Sequence, residues 1–377
     1  MRIGIDARTL YLPVLKGIGV YLLNLLNQLA VRDQKNEYIL YYDSRQKIVD
    51  RAPKAPNFIT RGIEIAKSDR FYFWEQFCLP RELARDRIDL LHSPANTTCL
   101  GFRGPKVVTV HDTIIQQGKD KTKADTIYYN FIQPFVLKFA DRIITVSNYS
   151  RRNIMRDLGI RKKKIRVIPQ GLDAAFQIID DYSSVNRIVL KYGIPNPYLL
   201  NVGGESPFKN VSGLLEAYAI MVRKYGVTET LVVTGIRAKE ILCGHLEHIV
   251  RLGLNGKVIV LGYVPHEDLV ALYNGARLFV YPSLMEGFGF PPLEAMACGT
   301  PTVVSNAASM PDVAGNAAVL FDPKSPEDIA AKTCRVLVDE TLRHELIQRG
   351  LERVKMYDWK NTAEATLEVY EETAKGR

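Results

Sequence analysis

The stretch Glu286-Gly-Phe-Gly-Phe-Pro-Pro-Leu-Glu294 decides how this chain is read. An apolar run, Leu278 to Tyr281, precedes it and has the character of a buried strand. A second run, Leu293 to Ala297, follows it and predicts a short helix. Two carboxylates therefore bracket a glycine-bearing turn between a strand's C-terminal end and a helix N-terminus. In open α/β sheets ligands bind at that point. Free amide hydrogens and the positive end of the helix dipole favour an anion there. The two glutamates repel an anion but suit hydroxyl groups on either side of it. A nucleotide-sugar has that layout: ribose hydroxyls, a diphosphate, then sugar hydroxyls. Glu294 could simply stabilise its own helix through the dipole, with Pro291 or Pro292 in the first turn. Glu286 lies before the turn and has no such local use.

Outward from this stretch, apolar runs alternate with helical periodicity along the whole chain. Strands are expected at Arg2–Asp6, Tyr38–Tyr42, Asp89–Ser93, Val107–His111, Ile143–Ser147 and Ile165–Pro169. A second series is expected at Tyr198–Gly203, Leu231–Gly235, Val258–Val264, Leu278–Pro282, Thr302–Ser305 and Val319–Asp322. Most are apolar throughout, which marks strands covered on both faces of a parallel sheet. Between them, sets such as Leu22, Leu25, Leu26 and Leu29 fall on one helical face. The fold class is therefore α/β, with two Rossmann-like, doubly wound domains expected to face each other across a cleft. The expected division is 1–175 and 176–358, with a hinge in Asp173–Pro197 around a short helix (Ser184–Tyr192). A C-terminal helix (Trp359–Thr373, within 359–377) is expected to pack back on the first domain.

The length of 377 residues exceeds what one core usually serves. A hydrophobic content of 47% with 24% charged residues is that of a soluble globular protein. No apolar run approaches the roughly 18 to 20 residues that span a bilayer. Asp6 and Arg8 sit where a signal peptide needs an apolar segment, and five scattered cysteines without a C-x-x-C fit reduced thiols. The expected location is cytoplasmic. The net charge of +9 leaves three partners open: nucleic acid, an anionic membrane surface, or an anionic small substrate. The densest basic run is Arg161-Lys-Lys-Lys164 with Arg166, either a solvated loop or a membrane contact. It lacks the interleaved aromatics of a single-strand-binding surface, so no nucleic acid partner is expected.

Three further motifs stand at strand or helix ends. Gly17-Ile-Gly19 opens the first long helix, but Leu22 occupies the third glycine position of a dinucleotide fingerprint, which argues against a nicotinamide enzyme. Gly19 suits either a close ligand approach or a plain turn. Thr109-Val-His111-Asp112 ends a strand, and the neutral ring of His111 can donate and accept; a structural histidine is the alternative. Pro207-Phe-Lys209-Asn210 precedes a helix with Asn210 as its expected N-cap, and Lys209 can add charge to an anion held by amides. There is no Walker A sequence, no Asp-x-Asp for a divalent metal and no nucleophile elbow. Cys243-Gly-His245-Leu-Glu-His248 has ligand residue types but sits in an amphipathic helical stretch, so no metal site is expected.

These residues resemble the retaining glycosyltransferases of family 4, which have the GT-B fold. The resemblance covers essentially the whole length. Its markers follow in order: Gly17-Ile-Gly19, Trp74-Glu-Gln76, Val110-His111-Asp112, Thr145-Val-Ser147 with Ser150-Arg151, Ile168-Pro-Gln-Gly-Leu-Asp173, Asn201-Val-Gly-Gly204 with Lys209, Gly262-Tyr-Val264, Glu286 to Glu294, and Ala297-Cys-Gly-Thr-Pro301. The resemblance implies that Glu286 contacts donor-sugar hydroxyls, Glu294 the ribose, and Lys209 the diphosphate, with His111 near the transferred sugar. Gly19 and Gly203 match glycines close to the donor. The backbone of Gly287, Phe288 and Gly289 matches the loop around the sugar, and Tyr263–Val264 the base-contacting turn. One departure is clear: Gly204 and Phe208 stand where the family often has an arginine as a second phosphate ligand.

The expected activity is transfer of a hexose, with retention, from a nucleotide-sugar to a saccharide or lipid-linked oligosaccharide in surface polysaccharide synthesis. The resemblance implies front-face transfer assisted by the departing phosphate. Neither a cofactor nor a metal is expected, the nucleotide-sugar being co-substrate. UDP-glucose is the favoured donor and GDP-mannose the next. Two other readings are a non-catalytic nucleotide-sugar-binding partner, motivated by the missing arginine, and an epimerase on the same fold, for which no acid and base signature is present. The acceptor side could be lined by Lys119-Asp-Lys121-Thr-Lys123 and by Phe71, Tyr72, Phe73, Tyr128 and Tyr129, or these could be ordinary packing and a solvated loop. A lipid-linked acceptor at the inner membrane face would fit the positive charge through peripheral contact.

Overall fold

The computed structural model describes residues 1–15, 17–45, 49, 51–64, 73–114 and 127–376. Lys119 to Lys123, Phe71 and Tyr72 lie outside the described residues. The chain divides into two units: Met1–Gly171 with Asp358–Arg377, and Leu172–Tyr357. The junctions differ slightly from those expected, and the Leu172 N–H donates to the Tyr357 carbonyl, tying both ends of the second unit together.

Unit 1 is built on a parallel sheet of β1 (Arg2–Asp6), β2 (Glu37–Asp43), β3 (Phe58–Ile63), β4 (Leu90–Ser93), β5 (Lys106–Thr109), β6 (Arg142–Thr145) and β7 (Ile165–Val167), in the order β3-β2-β1-β4-β5-β6-β7. Strand β3 is absent from the expected set. It is an edge strand, its residues are mostly part-exposed, and Thr60, Arg61 and Gly62 interrupt any apolar run. The helix Gly17–Arg32 buries Tyr21, Leu22, Leu25, Leu26 and Leu29 against the sheet. The C-terminal helix Trp359–Lys375 joins the same core through Trp359, Ala363, Val369 and Tyr370. Gly171 has no room for a side chain: a Cβ there would lie 2.2 Å from the Trp359 nitrogen.

Unit 2 repeats the plan with β8 (Tyr198–Val202), β9 (Thr230–Thr234), β10 (Val258–Val260), β11 (Leu278–Tyr281), β12 (Thr302–Ser305) and β13 (Val319–Phe321), ordered β10-β9-β8-β11-β12-β13. All pairings are parallel. The order reverses between β8 and β11, which is the topological switch point of this sheet. The helix expected within a hinge, found at Tyr182–Lys191, belongs to unit 2. Its Val185 and Val189 close on Gly275, at the end of the helix His266–Gly275, where a Cβ would be 3.2 and 3.1 Å away.

Candidate active site

The switch point of unit 2 brings together two of the sequence-derived residues, Lys209 and Glu286. Lys209 ends a short turn after β8, and Glu286 follows β11. The Lys209 Nζ donates to Glu286 Oε1 and to the Tyr281 hydroxyl oxygen, each at 2.7 Å. The Tyr281 hydroxyl donates to the same Oε1 at 2.8 Å, and Ser283 Oγ does so at 2.7 Å. Three donors thus converge on one carboxylate oxygen. Oε2 has no partner among the described residues. The ammonium likewise has a third hydrogen to give. The pair is partly buried, with side-chain exposures of 23% for Lys209 and 16% for Glu286. An ion pair so placed is less screened than one in open solvent.

Tyr281 and Ser283 were not among the expected site residues. They stand two apart at the end of a strand, so their side chains share a face, and that parity was the signal that could have found them.

Asn210 is not the side-chain cap that was expected. It adopts a left-handed conformation, φ 56° and ψ 39°, and makes no side-chain cap bond. Its amide instead donates to the Pro282 and Pro323 carbonyls at 3.2 and 2.7 Å. That anchors the Lys209 turn to the ends of β11 and β13. Among the described residues the amide hydrogens of Val211, Ser212 and Gly213, the first turn of the 15-residue helix Val211–Tyr225, have no acceptor. The helix Phe290–Ala297 has fewer to offer, because Pro291 and Pro292 carry no N–H.

Glu294 lies on that second helix, and its Oε2 accepts from the Tyr273 hydroxyl at 2.8 Å. Burial pushes the Glu294 carboxyl up to about 7, against the opposing effect of the Tyr273 bond; Asp173 adds to the rise and Lys209 counters it. The Gly287–Gly289 loop between the two glutamates is held from below. Ser309 Oγ donates to the Glu286 carbonyl at 3.0 Å and to the Phe288 carbonyl. Phe288 is buried, edge-on to Phe290 and Tyr357. Gly289 has φ 125°, and a Cβ there would meet Met310 Cε at 2.2 Å.

At the β8–β10 side, Gly203 and Gly204 turn away from the strand. A Cβ on Gly203 would lie 2.8 Å from Asn201 Oδ1, a buried acceptor without a partner. Gly204 and Gly235 have φ of 106° and 92° and approach each other closely. Gly235 N–H donates to the Gly262 carbonyl, pinning the turn that carries Tyr263 and Val264. Val264 is buried; Tyr263 is exposed, with the Arg237 guanidinium 4.5 Å from its ring centre. The Arg237 and Ala238 amides donate to Glu205 Oε1 at 2.7 and 2.5 Å.

Unit 1 holds His111 and Gly19. Both His111 ring nitrogens are engaged: Nε2–H donates to the Pro94 carbonyl at 3.1 Å, and Nδ1 accepts from Gln170 Nε2 at 3.0 Å. This fixes a neutral tautomer, and burial lowers the imidazole to about 4. The backbone is held too, His111 N–H donating to Asn96 Oδ1 and its carbonyl accepting from Ser150 Oγ, each at 2.9 Å. Ligand contact through the ring therefore requires one of these bonds to be exchanged. Tyr21, on the same helix as Gly19, meets the His111 ring edge-on at 4.8 Å. A Cβ on Gly19 would lie 2.7 Å from the Thr9 carbonyl oxygen, so local packing alone accounts for that glycine. Among the described residues no group of three or more His, Cys, Asp or Glu side chains could hold a metal ion. No helix among them is long and apolar enough to cross a membrane.

Comparison with known proteins identifies the family. The profile described as "Glycosyl transferases group 1" matches residues 189–353, and "Glycosyltransferase Family 4" matches residues 15–176. O-antigen chain mannosyltransferase B of Escherichia coli is 31% identical, covering 94% of this chain and 96% of the relative. The serotype-specific mannosyltransferase WbdA of Escherichia coli is 32% identical over 70% of this chain, which spans a third (33%) of WbdA. Among solved structures, sucrose-phosphate synthase from Thermosynechococcus elongatus superposes with a TM-score of 0.78 at 19% identity, each chain fully covered. Anabaena HepE in complex with UDP and glucose gives 0.75 at 16% identity, covering 98% of this chain and 99% of HepE; these two likenesses are of fold alone. With its two parallel-sheet α/β units, the chain belongs to the family 4 glycosyltransferases and has the GT-B fold.

Proposed function

We propose that the protein transfers a mannosyl group, with retention of configuration, from GDP-mannose to a growing saccharide chain carried on a lipid. The observation that carries the nucleotide-sugar reading is the Lys209–Glu286–Tyr281 triangle at the switch point of unit 2. The mannosyl donor is supported by the names of the relatives that align over most of this chain. It displaces UDP-glucose as the favoured donor.

In this reading the diphosphate meets Lys209 and the unpaired amides of Val211 to Gly213, a full charge beside a helix N-terminus. As the C1–O bond breaks, negative charge grows on the leaving diphosphate, and donors already in place stabilise it without reorganising. No divalent ion is required, and with Gly204 and Phe208 supplying no second cation the helix amides supplement Lys209. Glu286 Oε2 accepts hydroxyl hydrogens of the transferred sugar, while its other oxygen is fixed by three donors. Glu294 accepts from the ribose. Unit 1 receives the acceptor, whose hydroxyl proton passes to the departing phosphate oxygen as the new bond forms on the same face. Peripheral contact with an anionic membrane on its cytoplasmic face would accompany a lipid-borne acceptor.

The test is turnover in the presence of a chelator. The protein, GDP-mannose and a lipid-linked mannosyl acceptor are combined, and the product's anomeric configuration is read by NMR. An α-linked product from the α-donor supports the reading. Inversion removes the proposed mechanism, and consumption of UDP-glucose in preference to GDP-mannose removes the donor. Tight binding of donor without turnover of any acceptor would favour a binding partner over an enzyme.

A further inference from the structure

The loop Gly287–Gly289 rests on a short helix, Met310–Ala314, that cannot hold its own shape. Five residues lie well below the roughly 12 at which a helix becomes even marginally stable alone. Its last carbonyls have no partner within it. Residues outside the helix close both of its ends.

At its start, buried Ser309 donates through Oγ to the Glu286 and Phe288 carbonyls. Met310 fills the space that a side chain at Gly289 would take. At its end stand Arg353, in the last turn of the helix Glu340–Val354, and Tyr357 just beyond it. Arg353 Nε donates to the Val313 carbonyl at 2.9 Å, and its Nη2 donates to the Asp312 carbonyl at 2.5 Å. A cation at a helix C-terminus also meets the negative end of the dipole. The Tyr357 hydroxyl donates to the Val313 carbonyl at 3.0 Å and accepts from Arg353 Nη2 at 3.1 Å. Gly315, with φ 57°, ends the short helix under the guanidinium, where a Cβ would lie 3.3 Å from Arg353 Cζ. Tyr357 also touches the loop directly, its buried ring edge-on to Phe288 at 5.6 Å. Its own carbonyl accepts the Leu172 N–H at 2.9 Å, so the brace is anchored where unit 2 begins and ends.

We propose that Arg353 and Tyr357 are positioning residues for glycosyl transfer. Acting through the Met310–Ala314 helix and Phe288, they fix the Glu286–Gly289 backbone in the shape that receives the donor sugar. Glu286 is then held twice: at its carboxylate by Lys209, Tyr281 and Ser283, and at its carbonyl by Ser309. This rests on the reading of the loop as the donor-sugar contact. The diphosphate contacts of that reading, Lys209 and the amides of Val211 to Gly213, lie on a different turn. Loss of the brace should therefore affect the sugar more than the nucleotide.

The test uses the full-length protein with Arg353→Met, Arg353→Lys and Tyr357→Phe, the last of which keeps the buried ring. Hydrogen–deuterium exchange is read on peptides covering 285–290 without ligand. Kinetics with GDP-mannose and calorimetry with GDP alone complete the set. In Arg353→Met, exchange at 285–290 should be about tenfold faster. There kcat/KM should fall about tenfold, mostly in kcat, while GDP affinity stays within about twofold. Arg353→Lys keeps a cation for the same carbonyls and should recover most of both losses. Unchanged kcat/KM in both Arg353→Met and Tyr357→Phe would overturn the proposal, and so would unchanged exchange at 285–290. Equal losses of GDP affinity and kcat/KM, or faster exchange spread over β8 and β11, would also overturn it, because the two residues would then serve stability alone. If the unsubstituted protein turned over no sugar-nucleotide, the donor reading would fail, and unchanged exchange in the variants would overturn the present inference separately.

Discussion

Lys209 Nζ and Glu286 Oε1 are 2.7 Å apart, and the Tyr281 hydroxyl bonds to both. The cation proposed for the diphosphate and the carboxylate proposed for the sugar therefore position each other before any donor arrives. Lys209→Ala is expected to lower kcat/KM by about 10²- to 10³-fold. Because the two groups act as a unit, adding Glu286→Gln to that variant should reduce activity by much less than Glu286→Gln does alone. Steady-state kinetics of the four proteins would measure the coupling.

Tyr281→Phe keeps the buried ring and removes only the hydroxyl. Lys209 loses one acceptor and Glu286 Oε1 one of three donors. The expected loss is about 1 to 2 kcal/mol of transition-state stabilisation, or roughly tenfold in kcat/KM. KM should change less than kcat, since the residue positions rather than binds.

Glu294 predicts a pH effect with a definite sign. Its carboxyl is raised by burial to about 7 in the folded chain, against about 4.3 when unfolded. Folding thus takes up a proton, and this contribution to stability is full below the unfolded value and lost as pH rises through 7. Glu294→Gln should remove that dependence and stabilise the unliganded protein at pH 8 by on the order of 2 kcal/mol relative to pH 5. The same variant should bind nucleotide more weakly at pH 8. Thermal melts at both pH values, with and without GDP, check both halves.

Gly171→Ala tests how the C-terminal helix is joined to unit 1. A Cβ at 171 would fall 2.2 Å from the Trp359 nitrogen and 2.4 Å from its Cγ, so the chain must shift. A loss of about 1 to 3 kcal/mol is expected, read as a lowered denaturation midpoint with unchanged dependence on nucleotide in the remaining folded protein.

Much of this was legible in the order of residues, and the gaps have physical causes. Buried parallel strands announce themselves as apolar runs, so Arg2–Asp6 and Thr302–Ser305 have the expected bounds. Phe58–Ile63 does not, because an edge strand has one open side and tolerates Arg61 and Gly62. Lys209 and Glu286 were recognisable as charges in turns next to strand ends. Tyr281 was hidden because an aromatic in a buried strand looks like core, and it is core; only its hydroxyl reaches the site. Asn210 has the right type and place for a cap, yet tertiary acceptors at Pro282 and Pro323 win its amide. The closed environment of His111 depends on Pro94, Asn96 and Gln170, which are distant from one another or from the histidine in the chain.

The central claim is that the turn between β8 and its helix, with Glu286 opposite, binds a nucleotide-sugar without a divalent ion. Calorimetric titration of GDP-mannose into the full-length protein in a chelating buffer tests it most directly. Saturable binding is predicted, weakened at least about tenfold in Lys209→Ala by loss of a charge-assisted contact. Absence of binding until a divalent ion is restored, or the same affinity in Lys209→Ala, would contradict it.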